Sequence, residues 1–566
     1  MLRLARFLKN YKKHLILGPM FKVIEAIIEL FVPLVTAALI DHGVKNGDTA
    51  YVIKQGLLLL LLAVLGLSCT LVCQYFASVA SQGVGTELRR SLFRHITSLS
   101  HAEYDKLSTP AMQMRMTGDI NQLQLAVAML IRLVIRAPFL AVGAVIMAMT
   151  IDLRLSIIVL LASILISLAL FFIIRASLPL ISTARKRLEH LALITREALT
   201  GARVIRAYSK SEHETERFQT ASDELSDASV HSGQISALTK PLTAFIMNAG
   251  ITAVVWYGGY RVYGASITQG ELIAFVNYMT QIMLALSVVA NITEIFTKAA
   301  ASASSVNEIF DMQSSIVDGK GAAADMNADA VAFDNVSFGY VPEKKVLDGI
   351  TFKAPRGSTV GVIGGTGSGK STLASLVPRL YDVTDGAVSV FGHDVRDYKT
   401  SDLRGMIASV PQQASLVSGT VRSNLTWGAP NASDDELWAA LEAAQAADFV
   451  RSKDGLDTVI EQNGRNLSGG QRQRITIARA LAAKPEILIL DDSFSALDAS
   501  TSLKLREALL KMSLTQIIVS QRVSAIRGCD MIIVLENGSA VGMGTHKQLM
   551  ENCPLYLEIC KSQEAK

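Results

Sequence analysis

The chain has 566 residues, half of them hydrophobic, and a net charge of +4. That length allows two or three domains, and a mean hydropathy of +0.34 is too apolar for an ordinary soluble enzyme unless two unlike halves are being averaged. So mild a positive balance gives no reason to expect nucleic acid as a partner, and five scattered cysteines are too few for a disulfide framework.

Arg3, Arg6, Lys9, Lys12 and Lys13 precede an apolar run from Leu15 to Ile40. The run is too long for the core of a signal peptide and suits a first transmembrane helix whose basic end stays in the cytoplasm. Stretches near 56–80, 126–149, 154–177, 242–263 and 271–293 are also long enough to cross roughly 30 Å of hydrocarbon. This gives six spans with both termini cytoplasmic. Only residues near Thr150 to Leu153 join spans three and four, and a short Gly/Ser/Thr turn joins five and six, so these ends lie outside. The long connections near 81–125 and 178–241 are helix-compatible. They carry Arg89, Arg90 and Arg94 in one and Arg185, Lys186 and Arg187 in the other, as expected on the positive inside.

Charges within spans are costly, about 2.5–3.5 kcal/mol or more each at the bilayer centre. Lys22, Glu25 and Glu29 recur at helical spacing on one face of span one, and Arg132 and Arg136 do so on span three. They form either an ion-pair network between helices or, for Glu25 or Glu29, a cavity wall that attracts cationic substrates. Span six offers Asn277, Met279, Gln281, Met283 and Asn291, and span five offers Met247, Asn248, Trp256 and Tyr257. Such residues repack around varied ligands, and they are also ordinary packing material. Cys69 and Cys73, four apart in an apolar helix, are packing residues on this reading.

From Asp311 to Ala330 the composition turns to Ser, Gly, Ala, Asp and Lys, which marks a boundary. The expected organisation is a membrane domain at 1–310, a linker at 311–329 and a second domain at 330–566. Strand and helix patterns alternate in this second domain, an α/β reading, and Leu535 to Gly538 places Asn-Gly between strand-like runs as in a hairpin. The segment Gly364-Gly365-Thr366-Gly367-Ser368-Gly369-Lys370-Ser371 fits G-x-x-x-x-G-K-[ST] at every fixed position. An apolar strand, Val360 to Ile363, precedes it and a helix-compatible run from Thr372 follows. Backbone N–H groups freed by the glycines face phosphate oxygens there, Lys370 adds a charge, and Ser371 can hold Mg²⁺. Further on, Ile487 to Leu490 reads as a buried parallel strand, with Asp491 and Asp492 at the end where open α/β sheets put ligands.

These phosphate motifs, together with Ser468-Gly469-Gly470-Gln471, resemble the ATP-binding cassette of ABC transporters, and the resemblance extends over the whole chain. It implies a fold of six transmembrane helices of ABC exporter type fused to an α/β P-loop ATP-binding cassette, with ATP and Mg²⁺ as cofactors. By resemblance Tyr340 stacks on adenine, Gln412 is the loop glutamine that approaches the metal with Ser371 and Asp491, and Thr372 joins the nucleotide contacts. Asp498 closes a loop that crosses a dimer interface. Two cassettes meet head to tail in that family, so Ser468, Gly469, Gly470 and Gln471 complete the partner's site. The regions Tyr104–Asp119 and Gly201–Phe218 resemble coupling helices.

Two catalytic positions depart from the family pattern. Asp492 stands where active members carry Glu, and Gln521, after Ile517-Ile518-Val519-Ser520, stands where they carry His. Gln462 also replaces a common Glu. A shorter carboxylate moves the base by roughly 1 Å, which can cost on the order of 10²-fold. Gln donates a hydrogen bond but carries no charge. Binding kept and hydrolysis weakened resembles one subunit of a heterodimeric bacterial multidrug exporter, which implies a place in the cytoplasmic membrane and small amphipathic substrates. A homodimeric lipid or peptide exporter, an importer, and a mainly nucleotide-sensing subunit are the alternatives.

Overall fold

The computed structural model describes residues 4–341 and 343–564; Arg3 of the basic start lies outside them. The chain forms two compact units, one of Met1–Thr97 with Thr109–Asp311 and one of Ser98–Ser108 with Met312–Lys566.

Among the described residues there are six helices long and apolar enough to cross a membrane, Arg6–Val44, Thr49–Ser98, Thr109–Ile151, Leu153–Thr200, Ser211–Tyr263 and Gln269–Asp311. Each expected span lies within one of them. The helices run well past the apolar stretches into charged continuations, and the fourth carries Pro179 within its length. Thr49–Ser98, for example, carries Arg89, Arg90 and Arg94 on the same rod. Asp152 separates spans three and four: its carboxylate accepts from the backbone N–H groups of Arg154 and Leu155, both at 2.9 Å, capping the fourth helix.

Small residues let these helices approach. Ala26 and Ala37 of span one, Ala144 and Ala148 of span three and Ala274 of span six are buried together with Phe275 and Tyr278. At Gly250 an added Cβ would come within 2.5 Å of Met279 Cε, so the methionine's end would have to swing aside for any larger residue there. The charged residues pair within span one and across to its neighbours. Lys22 meets Glu25 at 2.6 Å, Arg136 meets Glu29 at 2.6 Å and Glu25 at 3.6 Å, and Arg132 donates to Ser78 Oγ at 3.1 Å. This is the network reading, and with Lys22 and Arg136 beside them the two glutamates leave no surplus negative charge to attract a cation. Cys73 is buried beside Ala77, Ala80 and Ile131.

In the second unit β1 (Val331–Phe338), β2 (Leu347–Ala354), β4 (Asp385–Val390) and β5 (His393–Asp394) form an antiparallel sheet ordered β2-β1-β4-β5. The larger sheet combines β3 (Thr359–Gly364), β6 (Ile407–Val410), β9 (Ile487–Asp491), β10 (Thr515–Val519), β11 (Met531–Glu536) and β12 (Ser539–Gly544) in the order β12-β11-β3-β10-β9-β6. A small pair, β7 (Gly419–Thr420) and β8 (Val459–Ile460), stands apart. β3 is buried at all six positions and β10 at all five, which suits their apolar runs Val360–Ile363 and Ile517–Val519, with Thr359, Thr515 and Gln516 as buried polar residues at the strand starts. The hairpin turn is where Asn-Gly placed it: Asn537 and Gly538 both take positive φ, 48° and 86°, between β11 and β12.

Residues 312–329 belong to this unit. Gly319 N donates to Tyr398 O at 2.9 Å, and Asp318 accepts from the Thr400 backbone and hydroxyl. The inserted segment 98–108 contains the short helix His101–Lys106. Its Ser100 hydroxyl lies 2.8 Å from that of Ser315, and Asp105 accepts from the Tyr381 hydroxyl at 2.5 Å. Within the first expected region, Tyr104–Asp119, the short helix starts at His101, three residues earlier, and by Thr109 the chain is already in the third long helix. In the second region the helix Ala202–Ala207 is followed by Ser211–Ala237.

Candidate functional site

β3 ends at Gly364, and the loop that follows turns at Gly367 and Gly369, with φ of 81° and 97°, before the helix Lys370–Leu376. These left-handed values suit glycine alone without strain. Lys370 is buried and folds back over the loop, its ammonium donating to Gly364 O at 3.0 Å and Gly365 O at 2.7 Å. Burial pushes its pKa down, while Asp492 and Asp491 pull the other way. Ser371 Oγ donates to Asp491 Oδ1 at 3.0 Å. Burial pushes the Asp491 carboxyl up, against the Ser371 hydrogen bond, and Asp492 adds to the rise. The loop lysine, the hydroxyl and the strand-end carboxylate that the sequence put a hundred residues apart are thus one cluster.

Asp492 has a positive φ of 46°, rare for a residue other than glycine. Its backbone N–H donates to Val519 O at 2.9 Å, and its carbonyl accepts from Ser495 Oγ at 2.7 Å, which together hold the turn. β9 and β10 are parallel with Asp491 opposite Val519. Asp492 and Ser520 therefore leave neighbouring strands side by side, with Gln521 one residue on. Gln521 is exposed, and its carbonyl accepts from Gln563 Nε2 at 2.7 Å. The same Gln563 side chain accepts from Val523 N at 2.9 Å, so one amide from the last helix brackets the turn. Arg522 reaches Ser495 O at 3.2 Å. Gln412 is exposed.

Tyr340 is half exposed, and its hydroxyl lies 3.1 Å from Thr372 Oγ1 in the first turn after the loop. Its ring meets Phe338 and Tyr381 edge-on, with centroids 5.0 and 5.2 Å away. Tyr381 also holds Asp105, so the inserted helix and the aromatic beside the phosphate loop share one side chain. Burial, with the Asp105 hydrogen bond second, pushes the Tyr381 phenol above its ordinary value.

Ser468 to Gln471 lies apart from the lysine cluster. Ser468 caps the helix Gly469–Ala482 in a capping box, accepting from Gln471 N at 3.3 Å while Gln471 Oε1 accepts from Ser468 N at 3.0 Å. Gly470 packs against Ala496 O, so this turn adjoins the loop that ends at Asp498. Asp498 caps the helix Ala499–Leu510, and hydrogen bonds from Ser500 and then Thr501 hold its carboxyl far below the usual range. Tyr381 and Gln563 were not singled out from the sequence. An unremarkable Leu-Tyr-Asp and a terminal glutamine carry no motif, and only folding shows what they touch.

The chain matches the family model for the ABC transporter transmembrane region over residues 15–286 and that for ABC transporter over 347–495. It is 36% identical to an uncharacterized ABC transporter ATP-binding protein of Mycobacterium tuberculosis, across 99% of this chain and 97% of that one. The chain belongs to the ABC transporter family. Other members similar to it include an ATP-dependent lipid A-core flippase of Syntrophus aciditrophicus, 33% identical over 87% of this chain and 83% of that one. A putative multidrug export ATP-binding/permease protein of Bacillus subtilis is 32% identical over 97% of each. Among solved structures, a bacterial Atm1-family ABC exporter with ATP bound superimposes with a TM-score of 0.81 at 24% identity, over 98% of this chain and 99% of that one. This ABC transporter thus combines an ABC membrane domain of exporter fold with an ABC ATP-binding domain, and it is a multi-pass membrane protein.

Proposed function

We propose that this ABC transporter is one subunit of a heterodimeric exporter in the bacterial cytoplasmic membrane, moving amphipathic compounds outward, and that its own nucleotide site binds ATP but hydrolyses it weakly. One observation carries the reading. The two residues that depart from the active pattern, Asp492 and Gln521, follow the ends of adjacent parallel strands, Asp492 next to Asp491 and close to Lys370. In this reading both defects bear on the γ-phosphate, while the binding groups Lys370, Ser371 and Asp491 are kept. The relatives named as a flippase and as a multidrug export protein support outward movement of amphipathic cargo. We assign the helical unit, about 1–310, to transport and residues 330–566 to the nucleotide, both termini facing the cytoplasm.

In this account ATP stacks on Tyr340, and its phosphates rest on the 364–372 loop with Lys370 as their counter-charge. Lys370 now bonds two loop carbonyls, contacts it exchanges for phosphate oxygens. The paired hydroxyl and carboxylate of Ser371 and Asp491 are hard oxygen donors that suit Mg²⁺, with Gln412 as a third, and the ion would neutralise charge on the β- and γ-phosphates. A water in line with the γ-phosphate meets Asp492, whose carboxylate stops about one methylene short of Glu. Ser468, Gly469, Gly470 and Gln471 serve the other site, on a partner that supplies the missing Glu and His, and Asp498 lies on the interface loop. A single-turnover experiment on the complex from native membranes tests this. After rapid quench, ATP stays intact on this chain and ADP accumulates on its partner. ADP appearing equally on both sites, or only on this chain, refutes the assignment.

A further inference from the structure

Two cavities in the helical unit differ in their charge. The one between spans one and two, about 490 Å³, holds Glu25, Glu29 and Arg136, which are paired with one another and with Lys22. The larger, about 650 Å³, lies between spans four and six, with Leu170, Phe171, Ile174 and Leu178 facing Leu286 and Val289. Its polar lining is Ser167, Thr293 and Arg175. The two hydroxyls already donate within their own helices, Ser167 to Ser163 O at 2.8 Å and Thr293 to Val289 O at 3.1 Å. Arg175 is the one charged group of the lining, and among the described residues it makes no hydrogen bond or ion pair.

Depth orients this cavity. From Leu153, where the fourth helix starts, to Arg175 is about 33 Å at 1.5 Å per residue, and from Gln269 to Thr293 about 36 Å. Both polar groups thus stand at one level, near the far edge of roughly 30 Å of hydrocarbon. Ser167 and Leu170 lie one to two helical turns nearer the bilayer centre. The cavity has an apolar body and a cationic end at headgroup depth. A guanidinium there offers a planar fork of donors that matches phosphate or carboxylate in two-point contact.

We infer that this cavity binds an amphipathic anion, its hydrocarbon tail between Phe171 and Leu286 and its phosphate or carboxylate head on Arg175. This deepens the export proposal by naming the charge class of the cargo, and it rests on that proposal only in calling the ligand cargo. A basic side chain that merely snorkels to the headgroups would hold its place without selecting a ligand.

Binding without nucleotide separates the two and does not depend on hydrolysis. The full transporter, with any subunit that co-purifies, is placed in phosphatidylcholine nanodiscs. It is titrated with a dansyl-labelled dodecyl phosphate and with the same chain bearing trimethylammonium. The phosphate is expected to bind about tenfold or more tightly, the size of a charge-assisted pair partly exposed to water. Arg175→Glu should reverse the order, Arg175→Lys should keep it, and Ser167→Trp, which fills the cavity from an exposed position, should weaken both probes. Unaltered ATP binding by each variant confirms its folding. Equal binding of the two heads, or an order that survives Arg175→Glu, overturns the inference, and neither result bears on how the two nucleotide sites divide hydrolysis.

Discussion

Replacing Tyr381 by Phe removes one hydroxyl and leaves the ring that packs against Phe338 and Tyr340. The lost contact is the 2.5 Å hydrogen bond to Asp105 on the inserted helix His101–Lys106. Hydrogen bonds to charged groups contribute about 1.5–3 kcal/mol. Asp105 is exposed, so water replaces much of this, and about 1 kcal/mol is a reasonable net loss. That corresponds to roughly a fivefold rise in the population of the undocked segment. Amide exchange in the intact transporter measures it directly. The amides of Tyr104 and Leu107, which bond Ser100 O and Tyr104 O, should exchange about fivefold faster, while those of β3 and β10 stay unchanged. Tyr381→Ala also removes the edge-on contact with Tyr340 and should weaken ATP binding, which Tyr381→Phe should not. If Tyr381→Phe leaves segment 98–108 equally protected, or loosens the whole second unit uniformly, the local docking argument is wrong.

Gln563→Ala should loosen the turn around Gln521 and Val523, raising exchange at Val523 by roughly fivefold to tenfold with little change in Tm, because the two lost bonds are near the surface. Asp491 has a carboxyl pKa raised in the folded state, so its ionisation opposes folding as pH rises from the unfolded value through the raised one. Asp491→Asn should therefore increase the nucleotide-free Tm at pH 7, do so less at pH 4, and abolish Mg²⁺-dependent ATP binding. In the membrane unit, Arg136→Ala strands Glu29 and should cost on the order of 3 kcal/mol. Adding Glu29→Gln should restore part of that loss, as thermal unfolding of the single and double variants in detergent would show.

Periodicity and local motifs revealed most of the architecture. The six apolar spans, β3 before the glycine loop, β9 before two aspartates and the Asn537-Gly538 turn are all encoded locally, the spans in runs of roughly twenty residues and the others in shorter windows. The full lengths of the helices were less visible, because past the membrane only polar, helix-permissive residues continue and no apolar stripe marks them. Long-range docking was not visible at all. Segment 98–108 joins the second unit through Tyr381 and Ser315, more than two hundred residues away, and no local pattern announces such pairs. Arg175 was passed over for a similar reason: its interest lies in having no partner among the described residues, which only the packed helices reveal. Ser468 and Asp498 were read for their place at an interface, and within this chain both are helix caps.

Steady-state ATP hydrolysis of the purified chain alone, set beside the complex recovered from its native membrane, tests the central proposal most directly. Negligible turnover alone, restored by a co-purifying ABC subunit whose own site carries Glu and His at the positions of Asp492 and Gln521, is the predicted result. Robust turnover by this chain alone, abolished by Lys370→Ala, would contradict it and make the protein a competent homodimer.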